Sequence, residues 1–474
     1  MMRGDQLPLI RTAIPGPESR ALARQLHRYE SRNVTFISDR WPIFWQRAAG
    51  ANVWDVDGNR YIDLTAGFGV ASVGHANPRV VAALRQQAAT LPHAMGDVHP
   101  NELKLKLARE LVELTFGRWI VGRVPSHGAS KTPRRGTRPT TSPARVIFAN
   151  SGAEAVEAAL KTAAIHTKRP GVIAFNGAYH GLTYGALDTT WRNHFRAPFS
   201  KQLGRFTTHV PFGALPSVGR DRRARRGRPD GASLPHRIDH YGAVIVEPIQ
   251  GRGGIVVPPD DFLPNLRKFC DRHRLVLIFD EIYTGFCRTG RWFACEHWGV
   301  VPDIICLGKG MTGGFPISAC VGRADVMDSW PESDGEAIHT STFLGNPLGR
   351  AASLASINEM KRMNLDRRAE ELGEYVKVPF GGPRSVVAAG GKQTRRFAAQ
   401  RGLRATVQLR GKGLMLGLEV GDASRLCEQL LQRGILALPE GDKNEVLGLT
   451  PPLVITDRQL DYCAEVLSEL VRET

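Results

Sequence analysis

The stretch LVLIFDE (275–281) runs five consecutive apolar residues directly into two acids, and IICLGKG (304–310) repeats the figure with a lysine in the acids' place. An apolar run without alternation describes a strand buried on both faces, which belongs in a mainly parallel sheet covered by helices. Working outward, RVIFAN (145–150), GVIAF (171–175) and YGAVIV (241–246) read the same way. A helix of apolar and alanine positions is predicted from Ala153 to about His166. Val244, Val276 and Ile304 follow one another at intervals of about 30 residues, the length of a βαβ unit. The fold class is therefore α/β.

Two flanks differ from this core. VWDVDGNRYI (53–62) is a hairpin with its turn at Asp57-Gly58. From about residue 366 short strands, such as Leu414 to Val420, mix with helices and predict a smaller α+β domain. The organisation expected is an N-terminal segment (1–75) joining that small domain, a large domain (76–365) and a C-terminal part (366–474).

The net charge of +17 invites a nucleic-acid reading. Its distribution argues otherwise. Residues 123–145 hold six Lys or Arg and no acid, 220–228 hold six Arg against Asp221, and 384–404 hold six Lys or Arg and no acid. Those windows contain the whole excess. They are rich in Gly, Pro, Ser or Ala and lack apolar periodicity, so they read as surface insertions near 120–145, 214–237 and 378–404. No interleaved aromatics offer bases a stacking platform, so no dedicated nucleic-acid site is expected. Seven cysteines without a CxxC pair read as reduced, packed thiols of a cytoplasmic protein. No apolar run approaches the roughly 18 residues of a membrane span, and no metal site is predicted.

Three features stand where predicted strands end, the place open α/β sheets put their ligands. In NSGAE (150–154), Ser151 and Glu154 have capping-box spacing, an ordinary helix start. The same small residues also let a phosphate approach backbone N–H groups at the positive end of a helix. Asp280 is either a helix cap or partner of an Arg, or an acid that keeps a pyridine nitrogen protonated. Lys309, between two glycines at the end of a buried strand, is less ordinary than a solvated surface lysine and suits an amine able to form an imine.

The order and spacing of these features resemble the class III, fold type I pyridoxal-phosphate aminotransferases, a group including 4-aminobutyrate, ornithine and other ω-amino acid aminotransferases. The likeness runs from about Val53 to Pro452 through NSGAEAVEAALK (150–161), AYHG (178–181), EPIQGRGG (247–254), DEIYTGFCRTG (280–290), GKGMTGGFP (308–316), HTSTFLGNPL (339–348) and RGKGLMLGLEV (410–420). It implies a large domain with a seven-stranded-type sheet, pyridoxal 5'-phosphate as cofactor, and ping-pong transfer from a primary amine or ω-amino acid to a 2-oxo acid such as pyruvate or 2-oxoglutarate. Under it Lys309 forms the Schiff base and shuttles the proton, and Asp280 pairs with the pyridinium nitrogen. Tyr179 stacks on the ring beside His180, and Ser151, Gly152, Ala153 and Glu247 surround the cofactor. Thr342 reaches the phosphate of the neighbouring subunit, which implies a homodimer. Arg410 grips the α-carboxylate and Phe68 lines the substrate pocket. An aminomutase, racemase or decarboxylase on the same scaffold would share Lys309 and Asp280. A non-catalytic polyanion-binding protein would not need either.

Departures from the family concern the substrate. Leu182 stands where users of 4-aminobutyrate carry Arg, and Arg252 stands where they carry the Glu that pairs with the carboxylate-binding arginine. Arg252 and Arg410 together would double the positive charge and suit an anionic substrate; alternatively Arg252 swings outward and leaves an apolar pocket. Tyr283 replaces a Gln near the cofactor O3′ and offers a phenol for the same hydrogen bond.

Overall fold

The computed structural model of the chain describes residues 4–121, 142–216, 234–344, 346–377 and 408–472. The three basic segments lie almost wholly outside them. The predicted hairpin forms. Strands β1 (Trp45–Ala49), β2 (Asn52–Asp55) and β3 (Arg60–Asp63) pair antiparallel in sequence, and Gly58 adopts the left-handed φ of +81° that its turn requires. Buried Asp55 closes the turn, accepting from the Asn59 N–H at 2.8 Å and the Tyr61 hydroxyl at 2.7 Å.

The large sheet contains β4 (Ala144–Ala149), β5 (Gly171–Phe175), β6 (Thr207–Val210), β7 (Tyr241–Val246), β8 (Val276–Asp280), β9 (Ile304–Leu307) and β10 (Ser318–Arg323). Their spatial order is β4-β10-β9-β8-β7-β5-β6, with β10 antiparallel to both its neighbours and the other pairings parallel. The mainly parallel sheet expected from the sequence is thus present. Strands β6 and β10 are additions that its apolar runs did not announce.

Alternation along each strand explains why both faces are apolar. Val244, Val246, Leu277, Phe279, Ile305 and Leu307 point into one core, which the helix Phe262–His273 covers with Phe262, Leu263 and Leu266. Ala243, Ile245, Val276, Ile278, Ile304 and Cys306 point the other way, against Ala155, Val156, Ala158, Ala159 and Ala163 of the helix Gly152–Thr167. All seven cysteines are buried as thiols. Among the described residues no helix is long and apolar enough to cross a membrane.

The C-terminal strands β11 (Leu409–Lys412), β12 (Met415–Glu419), β13 (Ile435–Leu436), β14 (Leu438–Glu440) and β15 (Val446–Leu449) divide between two sheets. Four form an antiparallel sheet in the order β11-β12-β15-β14, while β13 pairs parallel with β3 and completes the hairpin sheet. Through β13 the C-terminal part thus adds a strand to the sheet begun near residue 45.

Arg288, fully buried, ties this part to the large sheet by donating to the carbonyls of Leu414 and Pro451. Burial pulls its guanidinium down to about 10. Replacing it with Leu would strand both carbonyls. Because hydrogen bonds to a charged group are each worth about 1.5–3 kcal/mol, Arg288→Leu should destabilise the chain by roughly 3 kcal/mol. Thermal unfolding of the two proteins side by side checks this; equal midpoints would mean that the carbonyls find other donors.

Candidate active site

A cavity of about 500 Å³ opens at the carboxyl ends of the parallel strands. Asn150, Ser151, Gly152 and Ala153 after β4 line it, with Tyr179, His180, Gly181 and Leu182 after β5, Glu247 and Arg252 after β7, Asp280, Ile282 and Tyr283 at the end of β8, and Lys309 after β9. Three strand-end features separated by about 150 residues of sequence are thus brought into one space.

At 150–154 the helix start expected from the capping spacing is present. The Glu154 N–H donates to Ser151 Oγ at 3.3 Å, and Glu154 Oε2 accepts from the Asn150 N–H at 2.9 Å, so the helix start is capped. The 16-residue helix also points its positive end into the cavity through Gly152 and Ala153. A Cβ on Gly152 would come within 2.8 Å of the Ile282 side chain, so the approach is closed to larger residues.

Asp280 is buried, with Oδ2 at 2.8 Å from His180 Nδ1 and Oδ1 accepting from the Ile282 N–H at 3.1 Å. His180 Nε2 is buried without a partner among the described residues. Lys309 has a left-handed φ of +41°, which aims its side chain from the end of β9 into the cavity. Its Nζ lies 3.7 Å from the centre of the Tyr283 ring. Burial lowers this amine to about 8, against the opposing pull of Asp280, Glu440 and Glu247. Tyr283 gives its hydroxyl to a 3.1 Å contact with Thr450 Oγ1, and burial pushes its phenol up to about 12. A Cβ on Gly69 would collide with the Tyr283 ring at 2.5 Å, so the left-handed turn at residues 66–69 is what seats that ring.

Glu247 orders two loops at once. Oε2 accepts from the Tyr179 N–H and Oε1 from the Gly251 N–H, each at 3.1 Å, and burial raises this carboxyl to about 7. The loop after β7 carries Arg252, whose Nη1 stands 2.9 Å from Glu440 Oε2.

Not every expected residue joins the cavity. The Arg410 guanidinium lies behind the 251–254 loop, donating from Nε to the Gly254 carbonyl and from Nη1 to Glu419, each at 2.9 Å. Positive charge is not doubled there: Arg252 faces the cavity and has Glu440 for a partner. Phe68 is 61 % exposed, and Val70 takes its place in the wall. Thr342 is exposed and outside the cavity of its own chain. Sequence reasoning missed Glu440 and Thr450, which arrive from the C-terminal strands with no motif around them. The one available signal for Glu440 was an arginine in a glycine-rich loop that needed a counter-ion.

The site fits pyridoxal phosphate. It offers a helix N-terminus for a phosphate, a buried carboxylate for a pyridinium, an amine of lowered pKa for an aldehyde and the Tyr179 ring as a wall. No group of three His, Cys, Asp or Glu able to hold a metal occurs among the described residues.

The aminotransferase class-III family model matches residues 36–471. An acetylornithine aminotransferase of Methanopyrus kandleri is 36% identical over 91% of this chain and 95% of its own length. A 4-aminobutyrate aminotransferase of Mycobacterium leprae is 34% identical over 97% of both chains. An ornithine aminotransferase structure from Toxoplasma gondii, with partial occupancy of PLP at its active site, superposes with a TM-score of 0.74 at 30% identity, covering 96% of this chain and 95% of that one.

The lowered amine has a direct consequence. Without cofactor, Lys309 should be half neutral near pH 8, whereas an ordinary lysine titrates at 10.5. Reductive trapping of a small aldehyde, read by peptide mass analysis at Lys309, should therefore rise with pH around a midpoint near 8. A midpoint above 10 would show an ordinarily solvated amine.

Proposed function

This chain is a class-III aminotransferase, dependent on pyridoxal phosphate, and on that premise we propose that it moves the amino group of a primary amine or ω-amino acid to a 2-oxo acid of the pyruvate or 2-oxoglutarate type. The observation that carries this reading is the Lys309 amine, lowered to about 8 and lining one cavity with the buried Asp280 carboxylate and the capped helix N-terminus.

Pyridoxal phosphate, when bound, supplies an electron sink beside the carbon that exchanges its amino group. The chain's own residues do the rest. Lys309 would anchor the cofactor, and its Nζ is placed to hold or move a proton during the transfer. Asp280, fixed by His180 Nδ1 and the Ile282 N–H, would pair with the ring nitrogen and keep it protonated. Ser151, Gly152 and Ala153 would hold the phosphate at the helix end, the Tyr179 ring would stack against the cofactor, and Tyr283 would offer it a phenol. Glu247 keeps the Tyr179 and Arg252 loops in register. Arg252 is the carboxylate-binding residue inside the cavity, while Arg410 supports its loop from behind.

A homodimer completes the site in this reading. Thr342 is exposed in a surface where Phe343 packs edge-on against His93, and Leu91, Met95, Val98, Ile338 and Phe343 expose apolar side chains around it. That surface suits a second copy bringing Thr342 and Phe68 to the neighbouring cavity. The seven buried thiols suit a reducing, cytoplasmic setting.

Holoenzyme given amine donors with pyruvate or 2-oxoglutarate should consume the oxo acid and release the matching amino acid in equal amounts. Lys309→Ala should lose at least about 10³-fold in rate, the scale of a positioned acid–base group. Product formed from the donor without consumption of oxo acid would sink the transfer reading in favour of isomerisation or loss of CO₂.

A further inference from the structure

Four consecutive residues, Ala66, Gly67, Phe68 and Gly69, have φ values of +49°, +55°, +62° and +79°. Two of them bear a Cβ, and left-handed backbone is costly for such residues, most of all for a bulky one. A run of this kind persists only where its surroundings dictate it. Here the buried carboxylate of Asp63 does so. Oδ1 accepts from the Thr65 N–H at 2.7 Å and from the Thr65 hydroxyl at 2.6 Å. Oδ2 accepts from the Gly67 N–H at 3.2 Å and stands 2.7 Å from His75 Nε2. His75 is fixed in turn. Its backbone exchanges hydrogen bonds with Gly50 in both directions, and its ring lies edge-on to Trp45 of β1 at 5.7 Å. One carboxylate thus clamps both ends of the segment 63–75 and ties it to the hairpin sheet. That segment touches the neighbours of Lys309 from two sides. A Cβ on Gly69 would meet the Tyr283 ring at 2.5 Å, and a Cβ on Gly310 would meet Ser72 Oγ at 2.6 Å. Val70, between those contacts, lines the cavity.

We propose that Asp63, supported by His75, is a positioning residue for Lys309: it holds the strained turn 66–69 in its left-handed form, and the turn keeps the Tyr283 ring over the amine and water away from it. The inference rests on the transfer reading above for the role of Lys309, and a measurement made without cofactor keeps the two apart. The ring that the turn seats has its centre 3.7 Å from Lys309 Nζ, so a turn that relaxes frees the ring and opens the amine to solvent. Residues 66–72 (AGFGVAS) carry no ionisable side chain, so they act on the amine by excluding water and not by charge. The charged groups that face the amine come from other elements. Asp280, Glu440 and Glu247 favour its protonated form and Arg252 opposes it.

The sign of the effect of Asp63→Asn distinguishes positioning from charge. An amide replaces only one of the two oxygens, so the clamp opens. Loss of a negative charge by itself would lower the Lys309 amine, whereas entry of water raises it. The test is aldehyde trapping at Lys309 as a function of pH, on the full chain freed of cofactor, with circular dichroism as the check on folding. In Asp63→Asn the midpoint should climb from near 8 toward the 10.5 of a solvated lysine, by about one pH unit or more. Ala66→Gly removes one strained Cβ from the turn and should leave the parent's midpoint in place. Combined with Asp63→Asn, it should bring the midpoint part of the way back. An unmoved or lowered midpoint in folded Asp63→Asn overturns the proposal. So does a glycine that restores neither the midpoint nor, where Asp63→Asn alone does not fold, the fold. In the holoenzyme Asp63→Asn should lower kcat about tenfold or more, the scale of a misplaced reacting group. Transfer by the parent with no shift of midpoint in the variant removes this inference alone; no transfer by the parent with any substrate pair removes the function.

Discussion

A parallel sheet buried on both faces leaves charge only one place to go, the ends of its strands. Strands β7, β8 and β9 present Val, Ile, Leu, Phe, Ala and Cys to two apolar cores, so acids and bases collect where those runs stop. Asp280, Glu247 and Lys309 all stand at such ends. The cores behind them hold the strands in register, and the register sets where the charged groups meet.

Desolvation then governs what the charges can do. It lowers the lysine and raises both Glu247 and Glu440, drawing acids and base toward the same neutral range. An amine brought toward neutral pH is suited to acid–base work at a substrate carbon. Each acid has a defined partner: His180 for Asp280, two backbone N–H groups for Glu247, and Arg252 for Glu440.

What was legible in the sequence followed the chemistry of short-range signals. Strands built from Val, Ile and Leu declared themselves, whereas TTHV (207–210) in β6 and SACVGR (318–323) in β10 carry too little apolar character to do so. Residues adjacent to strand ends were readable for the same reason, and the capping spacing at Ser151 and Glu154 was realised. The Arg252–Glu440 pair spans 188 positions and is set by how β14 packs beside the loop after β7, which no local pattern encodes. Arg410 shows the converse. A matching motif singled it out, but the motif says nothing of where its guanidinium turns, and a carbonyl and a carboxylate on its own side of the loop claim it.

The loop carrying Arg252 is held from every side. Glu247 takes the Gly251 N–H, Gln250 and Val256 pair across it, Arg410 grips the Gly254 carbonyl, and the Gly441 N–H donates to the Arg252 carbonyl at 3.1 Å. With its backbone fixed this way, any change at Arg252 is a change of side-chain rotamer. Rotamer changes of accessible side chains are fast relative to loop opening, so reorientation of the Arg252 side chain requires no rearrangement of the fold. On the opposite wall Gly448 leaves the space in which Glu440 sits, since a Cβ there would stand 3.0 Å from Glu440 Cγ. The cavity thus sets a part-exposed arginine against a buried acid, on a frame built by the two cores.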